Sequence, residues 1–292
     1  MSDLDFSSTS PMKPAGQPAA PPPPPIYNAA MAMDFFKTAG KPESFAAGAT
    51  LFAEDDKGGL FKSPKMYVLI VGEIEMVAQD QVIGTVKAGE TFGEMAVIAQ
   101  AARTATARAK TQCTVIGLDE KQYQAALQQK PEFALMLMSI INSRLRSTIS
   151  RLRASGSLHA GEAKEAPVFD KKLLAGLVKL MEAQEPARYD AGKMIMQEGT
   201  GGAFMYVVLE GKVAITIKGG LVGRAGPGGV FGEMALVDQS ARAATAVAEN
   251  DCALLAINRA AFLQLVKTSP AFGAALLSGI AARAKDMAVR NK

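Results

Sequence analysis

The 292-residue chain has one histidine, no tryptophan and two cysteines. His159 stands in a Gly/Ser/Glu-rich stretch, so neither a histidine-based triad nor a multi-histidine metal centre is expected. Aromatic residues make up 6% of the chain, a poor supply of stacking surface for single-stranded nucleic acid. Cys113 and Cys252 lie far apart in apolar, strand-like runs, which argues against a disulfide scaffold and fits a reducing cytoplasm. No apolar run approaches the roughly 18 residues of a membrane span. The N-terminal MSDLDFSSTS is acidic and polar, unlike a secretory signal. A net charge of +4 tolerates an anionic ligand but is too small to argue for nucleic acid by itself.

What the chain does have is a globular composition, 49% apolar and 21% charged, and a length suited to two domains. Residues 1–25 are rich in Pro, Ser and Ala and end in Pro21 to Pro25. With little to bury, they are expected to form a disordered tail, with a docking peptide for a proline-reading module as the functional alternative. The remainder is an internal repeat. FGEMAVIAQAARTAT at 92–106 matches FGEMALVDQSARAAT at 231–245 in ten of fifteen positions, at an offset of 139. The same offset places Met66 on Met205, Gly72 on Gly211, Cys113 on Cys252, Pro131 on Pro270 and Arg144 on Arg283. Upstream the offset is 144, because the first copy carries five extra residues around DDKGGLFKSPK.

Each copy opens on short alternating runs punctuated by glycines, the pattern of an antiparallel sandwich or small barrel. Helical signals follow: Asp119 as N-cap of KQYQAALQQ and Pro131 opening a longer helix, with Asn258 and Pro270 in the same places in copy two. The fold class is therefore mainly β with α. Two tandem antiparallel β-barrel or jelly-roll domains, at 26–153 and 168–292, are each followed by C-terminal helices. A polar linker over 154–167 joins them.

The chemistry concentrates where Phe-Gly-Glu-Met-Ala is followed, nine residues after the Glu, by Arg. These residues are Glu94 and Arg103 in copy one, and Glu233 and Arg242 in copy two. Gly93 and Gly232 allow close backbone approach. If Met95-Ala96 and Met234-Ala235 open a short helical turn, its first N–H groups favour an anion. An Arg beside them can hold a phosphate through two charge-assisted hydrogen bonds, and the carboxylate can accept from sugar hydroxyls. Together they describe a sugar-phosphate cradle. An ordinary Glu–Arg ion pair at a sheet end is the structural alternative.

At these residues the sequence resembles the phosphate-binding cassette of the cyclic nucleotide-binding domain family, Phe-Gly-Glu-Leu-Ala followed by Arg-Ala-Ala-Thr. YDAGKMIMQEGTGGAFMYVVLEGKVAI at 189–215 is similar to the family's entry strands. The tandem arrangement resembles the regulatory subunits of cyclic-AMP-dependent protein kinase. The resemblance implies that Glu94 and Glu233 bind the ribose 2′-hydroxyl and Arg103 and Arg242 the cyclic phosphate. Backbone N–H groups of Ala96, Thr104, Ala235 and Ala243 would complete the cradle. It further implies that Thr104 leans copy one toward cyclic GMP and Ala243 leans copy two toward cyclic AMP. Ala102 and Ala241 depart from the proline the family often has before the Arg.

The expected activity is thus reversible binding, with no cofactor, no metal and no catalysis. Output would pass through an unidentified partner protein. A scaffold with degenerate cassettes or a cyclic-dinucleotide binder competes with this reading. A transcription factor of the cyclic-AMP receptor family would need a helix-turn-helix, and only about 22 residues follow Pro270, so specific DNA binding is not expected. From Pro131 to Arg153, the residues Met138, Ile141, Leu145, Ile149 and Leu152 form an apolar seam. That seam packs on its own barrel, on the second domain, or on a second chain in a homodimer through 131–153. Arg144, Arg146, Arg151 and Arg153 read as a solvated basic helix end.

Overall fold

A computed structural model describes residues 27–58, 63–154, 167–238 and 241–289. The tail expected over 1–25 lies outside the described residues, as does the linker expected over 154–167 apart from its two end residues. Copy one runs α1 (Ala29–Ala39), β1 (Pro42–Phe45), β2 (Thr50–Phe52), β3 (Met66–Val71), β4 (Glu73–Ala78), β5 (Gln81–Lys87) and β6 (Thr91–Phe92). It continues with α2 (Glu94–Ile98), β7 (Thr106–Ala109), β8 (Cys113–Leu118), α3 (Glu120–Gln129) and α4 (Glu132–Ala154). Copy two repeats the order as α5 (Lys171–Leu180), β9 (Ala187–Tyr189), β10 (Met194–Met196), β11 (Phe204–Glu210), β12 (Val213–Ile217) and β13 (Gly220–Ala225). Then follow β14 (Val230–Phe231), α6 (Glu233–Asp238), β15 (Thr245–Ala248), β16 (Cys252–Asn258), α7 (Arg259–Thr268) and α8 (Pro270–Val289).

Each copy is a pair of four-stranded antiparallel sheets, as its alternation and turn glycines predict. The strand orders are β1-β8-β3-β6 and β2-β7-β4-β5 in copy one, and β9-β16-β11-β14 and β10-β15-β12-β13 in copy two. The strand β3 is apolar on both sides for a physical reason. Tyr67 and Leu69 face the space between the sheets with Phe52 and Phe92, whereas Met66 and Val68 face the helices. Strand β11 divides in the same way, with Val208 inside the sandwich and Met205 and Val207 against helices. The β4–β5 turn places Gln79 and Asp80 at φ 50° and 60°, and the β12–β13 turn Lys218 and Gly219 at 49° and 79°. Positive φ at both central residues matches the right-handed twist of a two-residue hairpin.

The helix signals are realised. The Asp119 carboxylate accepts from Gln122 N at 2.9 Å while Gln122 Oε1 accepts from Asp119 N at 3.0 Å, a reciprocal capping box. Asn258 accepts from Ala261 N at 2.8 Å. One expectation is corrected: strands do not come first. The helices α1 and α5 precede them, and Ala32, Phe35 and Phe36 bury the inner face of α1 at helical spacing. The Phe35 ring stacks on Phe133 of α4 with centroids 3.7 Å apart, a contact far away in sequence.

The helices of both copies share one apolar core. α4 packs against α8, and α3 against α7 and α8. α4 also reaches α6, and α8 reaches α2, so each long helix touches the other copy's cassette helix. Of the expected seam, Met138 and Ile141 are fully buried there. The side chains of Arg144, Leu145, Arg146, Ile149, Arg151, Leu152 and Arg153 lie outside the described residues. Among the described residues no single helix is long and apolar enough to cross a membrane.

Among the described residues two polar side chains of copy one are buried without partners, Tyr123 through its hydroxyl and Asn142 through its whole amide. Burial drives the Tyr123 phenol well above its ordinary pKa, so it stays protonated. The repeat puts Phe262 and Ala281 at the same two positions. An unsatisfied buried hydroxyl costs about 1–3 kcal/mol. Tyr123→Phe is therefore expected to raise the urea midpoint by about 1 kcal/mol of stability. A lowered midpoint would show that the hydroxyl has a partner in solution.

Candidate functional site

Both cassettes begin where a two-residue strand gives way to a short helix. The chain leaves β6 at Phe92, turns at Gly93 with φ 70°, and starts α2 on Glu94. Gly232 does the same at φ 76° before α6. Glycine is required there twice over. The left-handed backbone penalises a side chain, and a Cβ on Gly93 would sit 2.9 Å from Arg103 Nη1, one on Gly232 2.6 Å from Arg242 Nη1. The arginine thus returns to the backbone that launches the helix, whose first N–H groups have no intrahelical acceptor.

The two arginines are buried, at 5% exposure for Arg103 and 6% for Arg242. Arg103 donates Nη1–H to Gly93 O at 2.8 Å and Nη2–H to Lys65 O at 2.7 Å, and its Cζ lies 4.0 Å from the centroid of Phe52. Arg242 donates Nη1–H to Gly232 O at 2.9 Å, with Tyr206 at 5.9 Å. Their backbones are pinned to the loop after β2 and β10: Arg103 N bonds Asp56 O at 2.9 Å, and Arg242 N bonds Thr200 O at 2.8 Å. Burial lowers the pKa of both guanidinium groups. Opposing fields raise it, from Tyr67, Asp56 and Glu94 at Arg103 and from Tyr206 and Glu233 at Arg242.

Glu94 and Glu233 are buried as well, at 6% and 3% exposure. Each lies close enough to its arginine to act on it electrostatically. Glu233 has a partner that sequence reading did not assign. Arg283, on α8, donates Nη1–H to Glu233 Oε1 at 3.0 Å and Nη2–H to Val230 O at 2.9 Å. The sequence showed Arg283 only as the repeat counterpart of Arg144, because its partner lies fifty residues upstream.

The other expected residues sit around these. Ala96 is buried in α2, Met95 is half-buried and Thr104 is exposed. In copy two Met234 and Ala243 join an apolar cluster with Ile217, Val222 and Ala244. The backbone of Ala235 lies within α6. The equivalent of Val222 in copy one is Ile83, which is 63% exposed, so the two cassettes differ in their apolar surroundings. A second pair of residues escaped sequence reading. Glu54 N donates to Thr106 Oγ1 at 2.9 Å while Glu54 Oε2 accepts from Gln79 N at 2.9 Å. Glu198, Thr245 and Lys218 repeat this at 3.0 and 2.7 Å. The threonine closing each motif thus ties the cassette to the entry loop, and the retained Glu at offset 144 was the available clue.

The family model described as cyclic nucleotide-binding domain matches residues 42–130 and 186–269. A cGMP-dependent protein kinase of Drosophila melanogaster, isozyme 2, is 24% identical over 233 residues, 77% of this chain. The chain spans 19% of the length of that curated relative. The regulatory domain of Toxoplasma gondii PKA with cAMP is 23% identical, with 86% of this chain and 88% of that one covered and a TM-score of 0.30. A regulatory subunit of a cAMP-independent protein kinase A from Trypanosoma brucei is 18% identical, with 85% and 84% covered and a TM-score of 0.32.

The Arg283–Glu233 contact makes a stability prediction. Arg283→Met leaves a nearly fully buried carboxylate without its charged donor, a loss of about 1–3 kcal/mol. The half-exposed arginine puts the expected value in the lower part of that range. Urea unfolding checks it, and an unchanged midpoint would mean the pair is incidental.

Proposed function

The chain belongs to the cyclic nucleotide-binding domain family, and on that premise we propose that it is a non-enzymatic cytoplasmic sensor that binds cyclic AMP or cyclic GMP in two cassettes and signals to a partner protein. One observation carries this reading. Each copy buries an arginine against the glycine that opens a short helix, with a buried glutamate as the first residue of that helix. In a low dielectric a guanidinium that still has donors to offer attracts an anion strongly through charge-assisted hydrogen bonds. A guanidinium has five N–H donors. Arg103 uses two on carbonyls and Arg242 one among the described residues, so both keep donors for a phosphate without giving up their anchors.

In this reading Arg103 and Arg242 hold the cyclic phosphate, and the N–H groups of Ala96, Thr104, Ala235 and Ala243 complete its shell. Glu94 and Glu233 accept from the ribose 2′-hydroxyl. The exposed hydroxyl of Thr104 is available to a guanine amino group, while Ala243 offers a purine only apolar contact. The buried, unpaired thiols of Cys113 and Cys252 suit a reducing compartment.

Signal output follows from α8. A nucleotide that engages Glu233 shares its carboxylate with Arg283, and α8 also touches α2 and α4 of copy one. Binding at copy two therefore acts on a helix that the first cassette also feels. The shift it produces equals the ligand's differential affinity for the two arrangements.

Arg242→Ala is expected to weaken binding at copy two by about tenfold to a hundredfold, the worth of charge-assisted hydrogen bonds. Calorimetric titration with cyclic AMP, cyclic GMP and cyclic dinucleotides checks it. Unchanged curves for the variant would overturn the assignment, and preferential binding of a dinucleotide would change the ligand class.

Thr104→Ala is expected to weaken cyclic GMP more than cyclic AMP at copy one, because it removes a hydroxyl and leaves the phosphate shell intact. The same titrations decide it. Equal losses for both nucleotides would show that Thr104 does not read the base.

A further inference from the structure

The guanidinium of Arg242 is clasped between two glycines from different segments. On one side is Gly232, whose carbonyl it bonds. On the other is Gly202, in the loop before β11. A Cβ built on Gly202 would fall inside the van der Waals envelope of Arg242 Nε, Cζ and Nη2, three atoms of the same guanidinium. The loop cannot simply retreat to make room. Gly199 N donates to Arg242 O at 2.9 Å and Arg242 N to Thr200 O at 2.8 Å, so the loop is tied to the backbone of the very residue it would have to avoid. The flexible side chain is what gives way.

From this we infer that Gly202 is the positioning residue for Arg242, and that its missing side chain is what lets the guanidinium occupy the anion site of copy two. Gly202 is not among the positive-φ glycines, so its backbone accommodates an alanine. The requirement for glycine is therefore space for another residue's charge, not conformational freedom. Copy one solves the same problem differently. The five extra residues of copy one fall in this loop, and Arg103 is held by the Phe52 ring and a second carbonyl, that of Lys65.

The inference rests on the reading of Arg242 as the phosphate ligand, and the experiment separates the two. In an Arg103→Ala background of the full chain, Gly202→Ala is titrated with cyclic AMP and with cyclic GMP. In parallel, the Arg242 Nε–H resonance is followed on arginine-labelled protein and assigned by its loss in Arg242→Ala. Gly201→Ala is the control, since a Cβ there meets nothing within 4 Å. Expected are an affinity at least about tenfold lower for Gly202→Ala, a shifted Arg242 resonance, an unchanged thermal midpoint, and parental behaviour for Gly201→Ala. Parental affinity in Gly202→Ala overturns the inference, and so does weakened binding with an unmoved Arg242 resonance, which would place the effect in the loop. If Arg242→Ala binds like its parent, the phosphate-ligand reading fails instead, and the resonance still reports whether Gly202 positions the guanidinium.

Discussion

A guanidinium cannot leave water without acceptors, and the architecture of each cassette follows from meeting that demand. Arg103 and Arg242 are buried because the carbonyls of Gly93 and Gly232 are turned toward them at 2.8 and 2.9 Å. Those carbonyls point that way because the two glycines take a left-handed conformation between strand and helix. The same turn starts a helix on a glutamate, which puts a carboxylate and the helix's first N–H groups beside the cation. One backbone reversal thus assembles charge, counter-charge and hydrogen-bond donors in a single small volume.

The two copies solve this problem with different packing. In copy one the arginine is stacked on Phe52 and holds two carbonyls. In copy two the residue at the place of Phe52 is Met196, and the arginine lies under Gly202 instead. Their apolar surroundings also diverge, since Val222 is packed near the copy-two cassette while Ile83 is exposed. A duplicated motif therefore does not make two equivalent sites. The glycine, glutamate and arginine are held constant and the residues that restrain the arginine vary.

The helices join the copies. α8 contributes Arg283 to the cassette of its own copy and apolar surface to α2 and α4 of the other. A helix with a charge at one cassette and packing atoms against the other ties the two together through contacts already formed. Among the described residues the Asn142 amide within the helical layer has no partner, which costs the join stability.

Repeat, cassette and helix punctuation could all be read from the order of residues. Identities at a constant offset reveal duplication whatever the fold. Gly, Glu and Arg at matched spacing carry their chemistry in their types, and Asp119 and Asn258 cap helices through bonds only three residues long. The contacts between distant segments had to wait for the folded chain: Arg283 on Glu233, Phe35 on Phe133, α4 on α8 and Gly202 on Arg242. Local rules cannot supply these, because a side chain's partner across tens of residues is set by how whole elements pack. A glycine that matters for the space it leaves also gives no sign in the sequence of whose atoms will fill it.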